Sequence, residues 1–136
     1  MLYIENFLSS MPVFLSHIGT TLGLLILGIA AYEAITPYRE VRLIREGNTA
    51  AGIALSGAIL GLAIPLAVCM ANSVSVGDIL VWGAVALILQ LAAFFAVSLI
   101  LRGLPAAIER GEIASALFLA TVQLATSLII AAALIV

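Results

Sequence analysis

The chain has 136 residues, of which 65% are apolar and 9% are charged. Its mean hydropathy is +1.33, which excludes a soluble globular domain. The formal charge is −2, and the sequence holds no basic patch of the kind that nucleic-acid binding requires. We therefore expect the lipid bilayer as the surroundings of this chain and no nucleic acid as a partner.

Four apolar runs predict four transmembrane helices. In chain order they cover about 11–35, 49–71, 79–101 and 113–136. Each is long enough to cross the hydrocarbon core, which takes about 20 residues of helix. The expected fold class is an all-α integral membrane protein with four spans.

The arginines predict how the chain is threaded. All of them fall in the connection between spans one and two or in that between spans three and four, namely Arg39, Arg42, Arg45, Arg102 and Arg110. Short loops that carry arginine stay in the cytoplasm. We therefore expect an N-out/C-out protein, with the loop at 72–78 outside.

The first cytoplasmic connection carries a set of helix signals. Thr36 is a good N-cap, Pro37 fits the first turn of a helix, and Gly47 can adopt the left-handed conformation that ends one. Asn48 then suits the N-cap of the second span. These signals predict a short helix over 37–46.

The predicted short helix is amphipathic. Apolar residues recur every three positions against Arg39, Arg42 and Arg45, which suits a helix that lies in the headgroup plane. This connection is the candidate contact site for a peripheral or cytoplasmic protein partner. Its motif consists of Thr36, Pro37, Arg39, Arg42, Arg45, Glu46, Gly47 and Asn48.

The two halves of the chain match each other when one is shifted by 64 residues. Gly47 then falls on Gly111, and Ile44 falls on Ile108. Because each unit holds two spans, both copies would insert with the same orientation. The sequence thus predicts two parallel tandem helical-hairpin repeats, at 1–72 and 73–136.

Three segments carry a family resemblance. They are Thr36-Pro37-Tyr38, the run from Leu43 to Ala51 that contains Arg45-Glu46-Gly47-Asn48, and the run from Leu62 to Ala67. On these segments the chain resembles the YjfL-like family of small bacterial inner-membrane proteins, built from a two-span unit known as domain of unknown function 350. The resemblance implies an inner-membrane location and a four-span tandem repeat, but no molecular activity.

Small residues at four-residue spacing indicate helix contacts. Gly57 and Gly61 form one such pair on the second span, and Gly19 and Gly23 form another on the first. Such pairs let helix backbones approach closely in lipid. They fit packing within the bundle or a self-association face. Pro65, on the same stripe as Gly57 and Gly61, should kink the second span.

Several polar side chains fall inside the spans. Gln90 and Gln123 lie near the middle of spans three and four, where one interhelical hydrogen bond between the two amides is the simplest interpretation. The alternative is an intramembrane polar site for a solute, in which Thr126 and Ser127 take part. His17 in the outer half of span one is a candidate for proton relay or ligand binding.

The sequence contains no motif for catalysis, a cofactor or a metal. The one cysteine and the one histidine do not have metal-ligand spacing, and no glycine-rich phosphate loop occurs. We expect a non-catalytic membrane module that forms a homo-oligomer or binds partners through its glycine faces. The alternative function is a homo-oligomeric channel or small-solute permeation protein.

Overall fold

A computed structural model describes residues 1–36 and 39–135 of the chain. Three residues to which the predictions apply lie outside the described residues. They are Pro37, where a helix was predicted to start, its neighbour Tyr38, and Val136, the last residue of span four. The described part contains six helices and no strand: α1 (Leu2–Ile35), α2 (Glu40–Arg45), α3 (Thr49–Asn72), α4 (Val76–Ile100), α5 (Leu104–Glu109) and α6 (Ile113–Ala133).

Four of these helices, α1, α3, α4 and α6, are long and apolar enough to cross a membrane. The starts of α3, α4 and α6 agree with the predicted spans to within three residues. Helix α1 begins at Leu2, nine residues earlier than predicted, because residues 2–10 contain no glycine or proline and the helix also accommodates Pro12. Its 34 residues extend over about 51 Å, well beyond a hydrocarbon core of about 30 Å.

Helix α3 is the central element of the bundle. It packs most extensively against α6 and also contacts α1, α2, α4 and α5. Its buried face consists mainly of small residues, which lets neighbouring backbones approach closely. These small buried residues are Ala50, Ala51, Ala54, Gly57, Ala58 and Gly61.

The connection between α1 and α3 differs from the prediction at its start. Helix α2 begins at Glu40, and Arg39 precedes it as the N-cap with an extended rather than a helical backbone. The prediction that Thr36 caps this helix is wrong, because the Thr36 hydroxyl donates to the Tyr32 carbonyl at 2.6 Å and so closes α1. The left-handed conformation predicted for Gly47 is confirmed by its φ of 86°.

The connection between α4 and α6 has the same geometry. Helices α2 and α5 begin and end 64 residues apart, as do the starts of α3 and α6. The N–H of Asn48 donates to the Leu43 carbonyl at 2.9 Å, and that of Glu112 donates to the Ala107 carbonyl at 2.9 Å. Gly111 takes a φ of 81°. Both short helices thus end in the same left-handed glycine turn.

Candidate functional site

A polar cluster lies in the middle of the bundle. Gln90 of α4 and Gln123 and Ser127 of α6 are all buried, with at most 2% of each residue exposed. The Gln90 Nε2 donates to the main-chain carbonyl of Gln123 at 2.8 Å. The glutamines thus join α4 to α6, but through the backbone of Gln123 rather than through both side-chain amides.

A glycine on α3 makes room for this contact. A Cβ atom on Gly61 would lie 2.6 Å from the Gln90 Nε2 and 3.4 Å from the Gln123 carbonyl oxygen. Any larger residue at position 61 would have to displace the amide that bridges the two helices. Gly61, Gln90 and Gln123 therefore form one site, assembled from three helices.

Three polar atoms of the cluster form no hydrogen bond within the part of the chain that the structure describes. They are the Gln90 Oε1, the Gln123 Nε2 and the Ser127 Oγ. Together they offer an acceptor, a donor and a hydroxyl, all of them uncharged. This chemistry suits a neutral hydrogen-bonding group. Residues 1–36 and 39–135 contain no group of three acidic, histidine or cysteine side chains that could hold a metal.

The structure places the other predicted polar residues elsewhere. The Thr126 hydroxyl donates to the Val122 carbonyl within its own helix at 2.8 Å. His17 is half-buried on α1, and its side chain forms no hydrogen bond among the residues described. Gln90, Gln123 and Ser127 are therefore the members of the predicted polar set that lie fully inside the bundle.

The two glycine pairs have different surroundings. A Cβ atom on Gly57 would lie 2.6 Å from the Ala120 Cβ and 2.7 Å from its Cα, so α3 and α6 are in close backbone contact there. Among the described residues, no atom lies within 4 Å of a Cβ atom built on Gly19 or Gly23 of α1. The pair on α3 is thus used inside the bundle, whereas the pair on α1 is open. Pro65 lies buried within α3.

Asn48 joins the two connections at the arginine-bearing end of the bundle. Its Oδ1 accepts from the Ala51 N–H at 3.0 Å, which confirms the predicted N-cap of α3. Its Nδ2 donates to the carbonyls of Ile108 at 2.9 Å and Glu109 at 3.3 Å, at the end of α5. One side chain therefore caps the start of one helix and the end of another. At the matching position, Glu112 instead pairs with Arg110 at 3.1 Å.

A buried carboxylate at this end was missed by the sequence analysis. Glu40 is fully buried and accepts a hydrogen bond from the Tyr32 hydroxyl at 2.7 Å. The only sequence signal is that Glu40 shares a face of α2 with the apolar Leu43, at a spacing of three residues.

The fold and this site define a multi-pass α-helical membrane protein with an uncharged polar centre. The chain belongs to the family described as Domain of Unknown Function (DUF350), whose profile matches residues 5–134. The resemblance seen in the sequence is thereby confirmed.

Curated relatives agree with this membership. The chain is 36% identical over 120 residues to the UPF0719 inner membrane protein YjfL of Escherichia coli strain K12, a match that covers 88% of this chain and 91% of the relative. The protein of the same name from Escherichia coli O157:H7 matches equally well. No solved structure matches the chain significantly. With its four spanning helices, this is a multi-pass protein of the bacterial inner membrane.

Proposed function

We propose that this protein is a non-catalytic membrane module that associates with further copies of itself through α1. The observation that carries the proposal is the open glycine pair on that helix. No atom in the described part of the chain lies within 4 Å of a Cβ built on Gly19 or Gly23, and the two glycines have the G-x-x-x-G spacing at which two spans cross closely. The corresponding pair on α3 is already filled by α4 and α6.

The exposure of α1 supports the same proposal. Of its 34 residues, only Leu24, Gly28 and Tyr32 are buried in the bundle. The other three long helices bury at least six residues each. Helix α1 therefore offers a long face to lipid or to another copy. A GxxxG contact on this face gains van der Waals packing that lipid chains match poorly.

Cysteine cross-linking tests this interface. Ser16 lies one turn from Gly19 on an exposed part of α1, and the native Cys69 is buried. A Ser16→Cys variant in membranes should form a disulfide-linked dimer on mild oxidation. Ser56→Cys on α3 is the matched control and should stay monomeric, because its helix has no role in the proposed contact. Equal cross-linking of both variants would reject the α1 interface.

The tandem repeat and the threading form part of the proposal. The 64-residue offset of α2 and α5, of α3 and α6, and of the glycine turns supports two parallel repeats at 1–72 and 73–136. The arginines support an N-out/C-out orientation. A Ser75→Cys variant should then react with an impermeant thiol reagent added to intact spheroplasts. A Glu46→Cys variant should react only after lysis, and the reverse pattern would overturn the orientation.

The surface of α2 supports a further role as a contact site for a peripheral partner. Val41 and Ile44 are exposed beside the exposed Arg42 and Arg45. Apolar and cationic side chains are thus presented together at the arginine-bearing end. Under the proposed orientation, this surface faces the cytoplasm.

Permeation is the second candidate, favoured by the polar atoms around Gln90 and Gln123 that form no hydrogen bond with any described residue. These side chains lie inside one bundle, so a solute would have to pass through the chain itself rather than between copies. Liposomes that hold the purified protein test this directly. Solute flux that disappears in Gln90→Leu would establish permeation, whereas sealed liposomes would leave the polar cluster a structural contact.

A further inference from the structure

A pocket lies among the ends of α3, α4 and α6 that point away from the arginines. Its volume is about 400 Å³, which suits a small ligand. The 25 residues of α4 extend over about 38 Å, so a pocket at its first turns lies at the level of the lipid headgroups. Each of the three helices contributes to the walls: Asn72 and Ser73 at the end of α3, Asp78 and Trp82 at the start of α4, and Ala133 and Leu134 at the end of α6.

The polar atoms that this pocket offers are hydrogen-bond acceptors. The Asn72 Nδ2 donates to the Val68 carbonyl at 2.9 Å, and the Ser73 hydroxyl donates to the Cys69 carbonyl at 2.6 Å. These bonds to the α3 backbone leave the Asn72 Oδ1 and a lone pair of the Ser73 hydroxyl as acceptors. The Asp78 carboxylate adds two acceptor oxygens, and neither pairs with a residue in the described part of the chain.

The pocket is negatively charged. Asp78 is the charged residue among those that line it. All five basic residues of the chain are the arginines of the two connections, at the opposite end of the bundle. The salt bridges that the described residues form use Glu46 and Glu112 at that opposite end. No arginine therefore neutralises the Asp78 carboxylate.

The other acidic and basic groups near this end lie on α1. A Cβ atom built on Gly83 of α4 would lie 2.7 Å from the Leu24 Cδ1 of α1, which fixes the relative height of the two helices. By the helical rise, Glu5 and the N-terminal amine then lie about 20 Å or more beyond Asp78. His17 lies near the height of Asp78 but does not line the pocket. None of the described residues thus brings a positive charge into it.

An aromatic ring and apolar side chains form the rest of the pocket. Trp82 follows Asp78 by four residues on α4, so the indole and the carboxylate lie on the same face of the helix. The face of an indole ring attracts a cation. Ala133 and Leu134 supply hydrocarbon contacts, from which a bare metal ion would gain nothing. The walls therefore suit an organic cation.

We propose that this pocket binds the primary ammonium group of an organic amine. Its N–H groups donate to the Asp78 carboxylate and the Asn72 Oδ1, and the attached carbon chain packs against Trp82. An ammonium carries three donors and one positive charge, which match the acceptors and the charge of the pocket. Two sources present this chemistry at a membrane surface, the headgroup of phosphatidylethanolamine and a free amine in the aqueous phase. No described residue of α1 lines the pocket, so the inference does not depend on self-association through that helix.

Fluorescence tests the proposal, because Trp82 is the single tryptophan of the chain. In the detergent-solubilised full chain, n-butylammonium at constant ionic strength should change the Trp82 emission saturably, whereas n-butanol should not. Asp78→Asn keeps the size of this exposed side chain but removes its charge. It should weaken n-butylammonium binding about ten-fold or more, as expected for the loss of a hydrogen bond to a charged group. Glu46→Gln, at the opposite end, is the matched control and should bind as the wild type does.

Nanodiscs distinguish the two sources of the amine. In phosphatidylcholine nanodiscs, whose headgroups are trimethylated, n-butylammonium should again titrate the Trp82 emission. If the lipid is the ligand, phosphatidylethanolamine with the same acyl chains should suppress this titration in the wild type. If a free amine is the ligand, the titration should be the same in both lipids. A wild type that fails to titrate in phosphatidylcholine, responds equally to n-butanol, or binds no better than Asp78→Asn would overturn the proposal.

Discussion

Gly61 on α3 and Gln90 on α4 are in such close contact that a Cβ atom at position 61 would lie 2.6 Å from the glutamine Nε2. The Gln90 amide, which bridges α4 to α6, therefore packs directly against the α3 backbone at Gly61. A Cβ atom built on Gly57, one turn earlier, would lie 2.7 Å from the Ala120 Cα, so the obstacle there is backbone. The two glycines differ in how readily their neighbours can move.

This difference predicts an order of stability among alanine variants of α3. Gly57→Ala should lower the free energy of unfolding by about 1–3 kcal/mol, because α3 and α6 would have to separate. Gly61→Ala should cost less, because the Gln90 amide can shift at the expense of one hydrogen bond. Gly52→Ala should cost nothing, since its Cβ meets no atom of the described residues within 4 Å. Unfolding by dodecyl sulfate in mixed micelles measures all three, and equal stabilities would contradict the packing.

The bridge itself can be removed at Gln90. Gln90→Leu should lower the free energy of unfolding by about 0.6–2 kcal/mol, the range for one interhelical hydrogen bond in a membrane. The variant also removes the Oε1 atom that is buried without a partner among the described residues, which keeps the loss small. Gln90→Glu is the contrasting variant, because it brings a charge into the core. It should destabilise far more, and equal effects would argue against burial.

Asn48 has two separable roles. Asn48→Asp keeps an oxygen that can cap α3 but loses the Nδ2 that donates to Ile108 and Glu109. It should therefore speed hydrogen exchange at the end of α5 while leaving the first turn of α3 protected. Asn48→Ala should expose both, at a cost of about 0.5–2 kcal/mol for the lost cap alone. Protection that is unchanged at α5 in Asn48→Asp would show that the contact between the two connections is not needed.

Tyr32 can be tested for its hydroxyl alone. Tyr32→Phe keeps the ring that packs against Phe94 at a centroid distance of 4.7 Å but removes a donor to the buried Glu40. We expect a loss of about 1–3 kcal/mol in the free energy of unfolding, the cost of withdrawing a partner from a buried acceptor. Tyr32→Leu removes the ring contact as well and should cost more. A wild-type stability in Tyr32→Phe would contradict a role for this hydrogen bond.

The sequence predicts the spans well because continuous apolar character over about 20 residues has few other interpretations. The starts of α3 and α6 and the glycine turn at Gly47 follow from strong local signals. The prediction for Thr36 was wrong, because a threonine hydroxyl can donate to a carbonyl of the preceding helical turn as well as accept from a backbone N–H at a helix start. Helix α1 is longer than its apolar run, and it continues through Pro12, so neither hydropathy nor a helix breaker marks where it begins.

The contacts inside the bundle could not be predicted from the sequence, because they depend on how the helices pack. The spacing of Gln90 and Gln123 suggests that they meet, but the choice of a main-chain acceptor depends on the close approach of α3 at Gly61. Arginines flank Glu40 in the sequence, so the sequence predicts that Glu40 lies on the protein surface. Its burial depends on how α2 packs against α3 and on the Tyr32 hydroxyl from α1, tertiary contacts that no local pattern shows.

The central claim is association through the open glycine pair of α1. Subunit counting by single-molecule photobleaching in lipid bilayers, at low and high protein density, tests it most directly. The wild type should shift from one to more than one subunit as density rises. A variant that carries Gly19→Leu and Gly23→Leu should remain monomeric, and Gly52→Leu should behave as the wild type. A wild type that stays monomeric at every density, or a double variant that associates equally well, would contradict the account.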